Sequence, residues 1–299
     1  MRVDLVGRAK NRDEVCDGAC FQTYLLMFSS NMIPASYRHA VDSGVYLRGV
    51  DSSVVGGRMP VDPRMVGDAA VLLLIGQSNG GNHGDVQHVA NRRVFNFNVF
   101  DGLCYPARDP LLGATGDGGS PWCILGDALV EAGFASSVLL VPLCVGGATV
   151  EQWAPGGGYH HRMTYCLRRL SEAGFWPSHV LWHQGEANAL YGTEAAAYCR
   201  AFRALVGSLR QLEISAPVYV AIASYFAVPG GYAAQQQVVG GAQRSLVDAE
   251  EGIFQGPDTD VIRERYDGCH IGGDGLIAHA QAWRVVLTGS VSGTHSVRS

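Results

Sequence analysis

The sequence predicts an α/β fold, a central parallel sheet covered by helices on its faces. Three observations carry the prediction. From about Asp68 onward, short apolar runs alternate with segments of helical periodicity. Each run ends in glycine or small polar residues, as a strand does where it enters a turn. The runs are apolar throughout rather than alternating, which suits strands buried on both faces.

Taken in chain order, the strands expected are Val71–Ile75, Val138–Leu143, His179–Trp182 and Val218–Ala223. Helical patterns fall between and after them, over Trp122–Ala132, Met163–Ala173, Glu194–Leu212 and Asp274–Leu287. In the third, Tyr198, Ala201, Phe202, Leu205 and Leu209 recur at spacings of three and four and make one apolar face. In the last, Leu276, Ala280, Trp283 and Leu287 form a stripe. Gly133 and Gly174 stand where helix C-caps belong. Trp122, Trp182 and Trp283 lie within these elements and are expected in the core.

Residues 1–67 do not join the alternation. They hold short pieces such as Gly44–Val50 and read as an N-terminal extension, a small β-rich element packed on the main domain. The domain itself is expected over 68–290, with a tail over 291–299.

Composition narrows the function. The chain has 299 residues, 47% hydrophobic and 16% charged, which is material for one large core. Net charge is −5 and no Lys/Arg run stands out, which argues against nucleic acid or an anionic membrane as partner. The apolar stretch Phe21–Ile33 is too short and too polar to span a bilayer, and no secretory signal pattern precedes it, so the cytoplasm is the expected location. The eight cysteines are scattered without a CxxC pair and read as buried thiols, with Cys16 and Cys20 a thin case for pairing or metal. His83, Asp85 and His88, and likewise His160 and His161, lack the spacing of a closed ligand set; they are expected in solvated loops, with no metal.

Three polar segments follow strand ends, and in an open parallel sheet such ends gather at one edge, where ligands bind. They hold Ser78 in Gly76-Gln-Ser-Asn-Gly80, the glycines of Cys144-Val-Gly-Gly147, and Gln184-Gly-Glu186. A serine hydroxyl needs a base to take its proton, and the base needs a third group to hold its tautomer. Tyr266-Asp-Gly-Cys-His270 offers both, because Asp267 in a turn can reach back to the His270 imidazole. Acyl transfer also needs donors aimed at a developing oxyanion. Three are on offer: the Ser78 N–H, a backbone N–H in the Gly146-Gly147 loop, and the Gln184 amide. An ionised Glu186 would repel the oxyanion, so its expected role is to orient neighbouring groups or hold the loop. Trp153 and Tyr159 could either stack on a sugar or close their loop over the core.

GQSN after the first core strand, VGGATVEQW, LWHQGEAN and DGCH together resemble the SGNH hydrolase superfamily, and within it the branch of sialic-acid O-acetylesterases and acetylxylan esterases. The resemblance spans roughly Asp68 to Leu287. It implies a three-layer α/β/α, flavodoxin-like domain and a cofactor-free esterase that removes a small acyl group, acetyl above all, from a carbohydrate. It implies Ser78 as nucleophile, His270 as base, Asp267 as its orienting acid, and an oxyanion hole of Ser78, Gly146 and Gln184. The superfamily usually carries asparagine in its third block where this chain has Gln-Gly-Glu, so the donor role of Gln184 is an inference from the residue's chemistry. The match of Gly76–Gly80 to the G-x-S-x-G elbow is coincidental, since the serine ends the first core strand and the acid lies three residues from the histidine. Acyl transfer to a sugar hydroxyl, and a carbohydrate-binding protein without activity, are the alternative readings.

Overall fold

In the computed structural model, which describes residues 55–227 and 230–291, the first apolar run becomes β1 (Ala70–Gly76) in the middle of a seven-stranded sheet. All seven of its residues are buried, as a strand covered on both faces requires. It pairs in parallel with β4 (Val138–Pro142) on one side and β5 (His179–His183) on the other, Leu72 lying opposite both Leu140 and His179. Beyond β5 the sheet continues through β6 (Val218–Ile222) and β7 (Ile253–Asp258); beyond β4 it continues through β2 (Val94–Asn98) and β3 (Leu103–Pro106). Only the β2–β3 pair is antiparallel.

The order is β3-β2-β4-β1-β5-β6-β7. Without the β2–β3 pair, the five remaining strands run in the flavodoxin-like order 2-1-3-4-5. The chain therefore leaves β1 towards one edge of the sheet and later crosses to the other. The crevice this opens lies at the carboxyl end of β1, where Ser78 sits.

Side chains of β1 alternate between two cores. Val71, Leu73 and Ile75 pack with Met163, Cys166 and Leu170 of α4 (His160–Glu172), with Tyr198, Phe202 and Leu209 of α6 (Ala195–Gln211), and with Val239 and Ala242 of α7 (Ala233–Ser245). Leu72 and Leu74 pack on the other face with Trp122, Leu125 and Leu129 of α2 (Trp122–Glu131) and with Trp283 and Leu287 of α8 (Asp274–Val291). The Trp122 and Trp283 rings meet at 6.0 Å. Full burial of side chains of this size stabilises by about 1.5–3 kcal/mol each, so the layers hold through their apolar faces. Gly126 allows the approach of α2 to the sheet, since a Cβ there would stand 2.5 Å from Val94 Cγ1. Three short helices complete the described residues: α1 (Pro63–Val66), α3 (Val150–Trp153) and α5 (Glu186–Leu190).

The expected strands and long helices all form, with ends moved by a few residues. Three strands, α7 and the three short helices were not foreseen. In β2, Asn96 and Asn98 interrupt the apolar pattern, yet both are buried because their amides are satisfied; Asn96, for example, accepts from Leu112 N–H at 2.7 Å. β7 carries Gly256 and Pro257, which an edge position tolerates. The Gly240-Gly241 pair hid the periodicity of α7. Trp122, Trp153, Trp182 and Trp283 are all buried, which places Trp153 in the core, 5.6 Å from the ring of Tyr159. Residues 1–54 of the expected extension, Cys16 and Cys20 with them, and the tail from 292 onward lie outside the described residues. Among the described residues no helix is long and apolar enough to cross a membrane.

Candidate active site

β1 ends at Gly76, where a side chain has no room because a Cβ would lie 1.9 Å from the carbonyl oxygen of His183. Gln77 is extended, and Ser78–Gly80 then form one tight 3₁₀ turn. Ser78 is buried within the walls of a cleft that it shares with Gly147, Glu186, Ala187, Leu190, Phe226 and Cys269. Ala187, Leu190, Phe226 and Cys269 supply the apolar lining of this cleft; Gln77, Ser78 and Glu186 supply its polar groups.

Gln77 fastens the turn after β5. Its Oε1 accepts from the N–H groups of Gly185 (3.2 Å) and Ala187 (3.1 Å) and from the Gln184 amide (3.2 Å). The loop after β4 is held in turn by Val145 N–H donating to Gly76 O (3.1 Å) and by Gly146 N–H donating to Thr115 Oγ1 (2.7 Å). Gly147 follows with a φ of 69°, a left-handed conformation that glycine adopts without cost.

The loop before α8 carries Asp267 and His270. Asp267 Oδ2 lies 2.6 Å from His270 Nδ1, and Asp267 Oδ1 accepts from the backbone N–H groups of Cys269 (2.8 Å) and His270 (2.7 Å). Burial alone would raise the Asp267 pKa, but the bonds from the imidazole and the two N–H groups outweigh it and hold the carboxyl at about 2. A carboxylate fixed at Nδ1 sets the ring's tautomer, with Nε2 as the proton acceptor.

Asn79 joins this loop to the strand end. Its Oδ1 accepts from Ile271 N–H (2.9 Å), while its Nδ2 donates to Cys269 O (3.2 Å) and to Glu186 Oε1 (2.7 Å). The His83 ring stacks on that of His270, centroids 5.3 Å apart, with His83 Nε2 at 3.1 Å from Thr115 Oγ1. Burial, and next the neighbouring His270, push the His83 pKa down to about 3, so this ring is neutral. Tyr266 completes the packing by donating from its hydroxyl to His83 O at 2.9 Å.

The structure therefore places Ser78, Asp267 and His270 on segments that Asn79 ties together. It places two other expected donors differently. Gln184 is buried with Nε2 within hydrogen-bond distance of Gln77 Oε1, Ala148 O and Asn188 Oδ1, so its amide is engaged inside the protein and not turned to the cleft. The N–H of Gly146 is taken by Thr115, whereas Gly147, next in the chain, lines the cleft. Nor is His83 in a solvated loop; it is buried under the site. Asp85 accepts from Gly273 N–H, and His88 lies 3.9 Å from the buried Asp109. Among the described residues, no group of three or more His, Cys, Asp or Glu is placed to hold a metal ion. Sequence reasoning missed Gln77, Asn79, His83 and Thr115. The one signal available for the first two is their position on either side of Ser78, as polar residues where a fully buried strand ends.

A family model described as carbohydrate esterase, sialic acid-specific acetylesterase matches residues 68–276. The chain belongs to this family. The activity of this carbohydrate esterase is hydrolysis of carboxylic esters, and the match takes in every site segment described above. Solved structures share the fold. A protein from Arabidopsis thaliana superposes with a TM-score of 0.62 at 20% identity, over 73% of this chain and 97% of its own. NanS superposes with a TM-score of 0.53 at 14% identity, over 75% of this chain and 98% of its own. No curated protein sequence matches the chain.

Proposed function

We propose that this carbohydrate esterase removes O-acetyl groups from a sugar or polysaccharide through a covalent acyl-enzyme on Ser78. The observation that carries the reading is the Asp267–His270 pair at 2.6 Å, on a loop bonded at Ile271 to the residue that follows Ser78. His270 Nε2 takes the Ser78 proton as Oγ attacks the ester carbonyl. The carbonyl π electrons move onto oxygen, and the backbone N–H groups of Ser78 and Gly147 meet the charge that develops there. As the tetrahedral intermediate collapses, the C–O bond to the sugar breaks and the departing oxygen takes the proton from His270. Water, deprotonated by the same imidazole, then attacks the acetyl-serine and releases acetate.

A small acyl group suits the cleft, because Ala187, Leu190, Phe226 and Cys269 stand around Ser78 and leave an apolar wall for a methyl group. Gln184 supports the site from behind by joining Gln77 to Asn188, whose Oδ1 accepts from Val150 N–H at 2.9 Å.

The test is release of acetate from a panel of O-acetylated glycans by the wild type and by Ser78→Ala. The reading expects at least one glycan to be deacetylated, with the variant slower by several orders of magnitude while still folded. Turnover by a folded Ser78→Ala protein at near the wild-type rate would overturn it.

A further inference from the structure

Glu186 sits where an ionised carboxylate does harm. It is 3% exposed and lines the cleft beside Ser78. One oxygen, Oε1, accepts from Asn79 Nδ2 at 2.7 Å; the other, Oε2, is buried and has no hydrogen-bond partner in the structure. A buried carboxylate oxygen left bare is costly, whereas a protonated one is a donor in search of an acceptor. Beyond the Ser78 and Gly147 N–H groups, such a donor would be the cleft's third. The Gln184 amide and the Gly146 N–H are engaged within the protein, and a negative charge this close to Ser78 would oppose the charge that builds on an attacked carbonyl.

We propose that Glu186 works in its neutral form, donating a hydrogen bond from Oε2 to the carbonyl oxygen of the ester bound at Ser78. The inference rests on the esterase reading and adds a third oxyanion donor to the Ser78 and Gly147 N–H groups. Asn79 sets the geometry by occupying Oε1, so the proton resides on the oxygen left for the substrate.

The electrostatic surroundings agree. Burial pushes the Glu186 pKa up to about 7; Arg265, on the loop before His270, the Asn79 bond and the residue's own backbone N–H oppose the rise, and Asp260, on the turn after β7, adds to it. The other ionisable groups nearby are Tyr198 of α6, itself raised by burial, the Asp267–His270 pair, and Cys269, which lines the same cleft. The Arg265 guanidinium donates to Cys269 O, Ile262 O and Thr259 O rather than to the carboxyl. The acid form is thus present through pH 6 and is lost above about 7.

The experiment is a pH profile of kcat on one acetyl ester for the wild type and for Glu186→Gln, which keeps the shape and supplies an amide donor that does not ionise. The wild type is expected to lose kcat from about pH 7 upward, approaching tenfold per pH unit, while the variant shows no such fall up to pH 8.5. An identical alkaline fall in both, or none in the wild type, overturns the inference. Should the variant fail to fold, the wild type labelled with ¹³C at the glutamate carboxyls is titrated by NMR. A glutamate carboxyl titrating near pH 7 supports the inference, and none between pH 6 and 8 overturns it. Activity retained by Ser78→Ala, in contrast, sinks the esterase reading, and the NMR titration stands apart from that result.

Discussion

Asn79, the residue after Ser78, accepts a hydrogen bond at 2.9 Å from the backbone N–H of Ile271, the residue after His270. With its bond to Cys269 O, this side chain ties the loop of His270 to the strand end of Ser78. Asn79→Ala removes one acceptor and two donor contacts in a buried place, and should cost about 1–3 kcal/mol of stability. Its larger effect should be on turnover. Loosening His270 relative to Ser78 should lower kcat about 100-fold with little change in KM, because a misplacement of about 1 Å costs that much. Kinetics of the folded variant, with thermal melts as control, check this; a kcat within about threefold of wild type would show that Asn79 does not set the geometry.

The Asp267 carboxylate holds His270 by a bond to Nδ1. Asp267→Asn keeps the shape but presents an amide that favours the other tautomer, so kcat should drop by roughly 10⁴ while the fold persists. A loss below about tenfold would remove Asp267 from the role of orienting acid.

Thr115 Oγ1 accepts the Gly146 N–H and lies against His83 Nε2. Thr115→Val is nearly isosteric and deletes that oxygen. It leaves a backbone donor without its acceptor beside the cleft, and should lower stability by about 1–3 kcal/mol. Thr115→Ser should restore it. Chemical denaturation of the two variants decides; equal stability would mean that the hydroxyl is dispensable.

Two carboxyls near Ser78 pull stability in opposite directions with pH. The Glu186 pKa is raised to about 7 in the fold, so its contribution is complete below its ordinary value of 4.5 and is lost as pH rises through 7. Asp267 is held at about 2, so its contribution is present above 3.8 and is lost as pH falls through 2. The difference in unfolding free energy between wild type and Glu186→Gln should therefore shift between pH 5 and pH 8 by on the order of 3 kcal/mol, in favour of the variant at high pH. Asp109, raised to about 6 mainly by burial, slopes the same way in both proteins and cancels in the difference. A difference that does not change with pH would mean that Glu186 is ionised throughout.

What the sequence made legible was local. β1 announced itself as an unbroken apolar run, and Asp267 and His270 lie three residues apart, within reach of one turn. Gln184 was misplaced because the fate of its amide depends on Gln77 and on Ala148, 107 and 36 residues away, and nothing near Gln184 reveals them. His83 suffered the same way. In HGDVQH it reads as solvated, and residues distant in the chain, Thr115, Tyr266 and His270 among them, are brought over it by the fold. Strands whose polar residues are satisfied by distant backbone, as Asn96 is by Leu112, escaped for the same reason.

The link between Asn79 and Ile271 spans 192 positions of the chain, and the helix that follows it, α8, shares one face of the sheet with α2 through Trp283 and Leu287. A ribosome making this protein thus delivers Ser78 long before His270, the base proposed for it. Until residues beyond 271 clear the exit tunnel, the growing chain carries Ser78 without the base proposed for it, and one face of its sheet is covered by α2 without α8. On the proposed mechanism, ester cleavage therefore begins only after α8 has emerged, and its onset in a translation reaction marks the moment at which α8 packs beside α2.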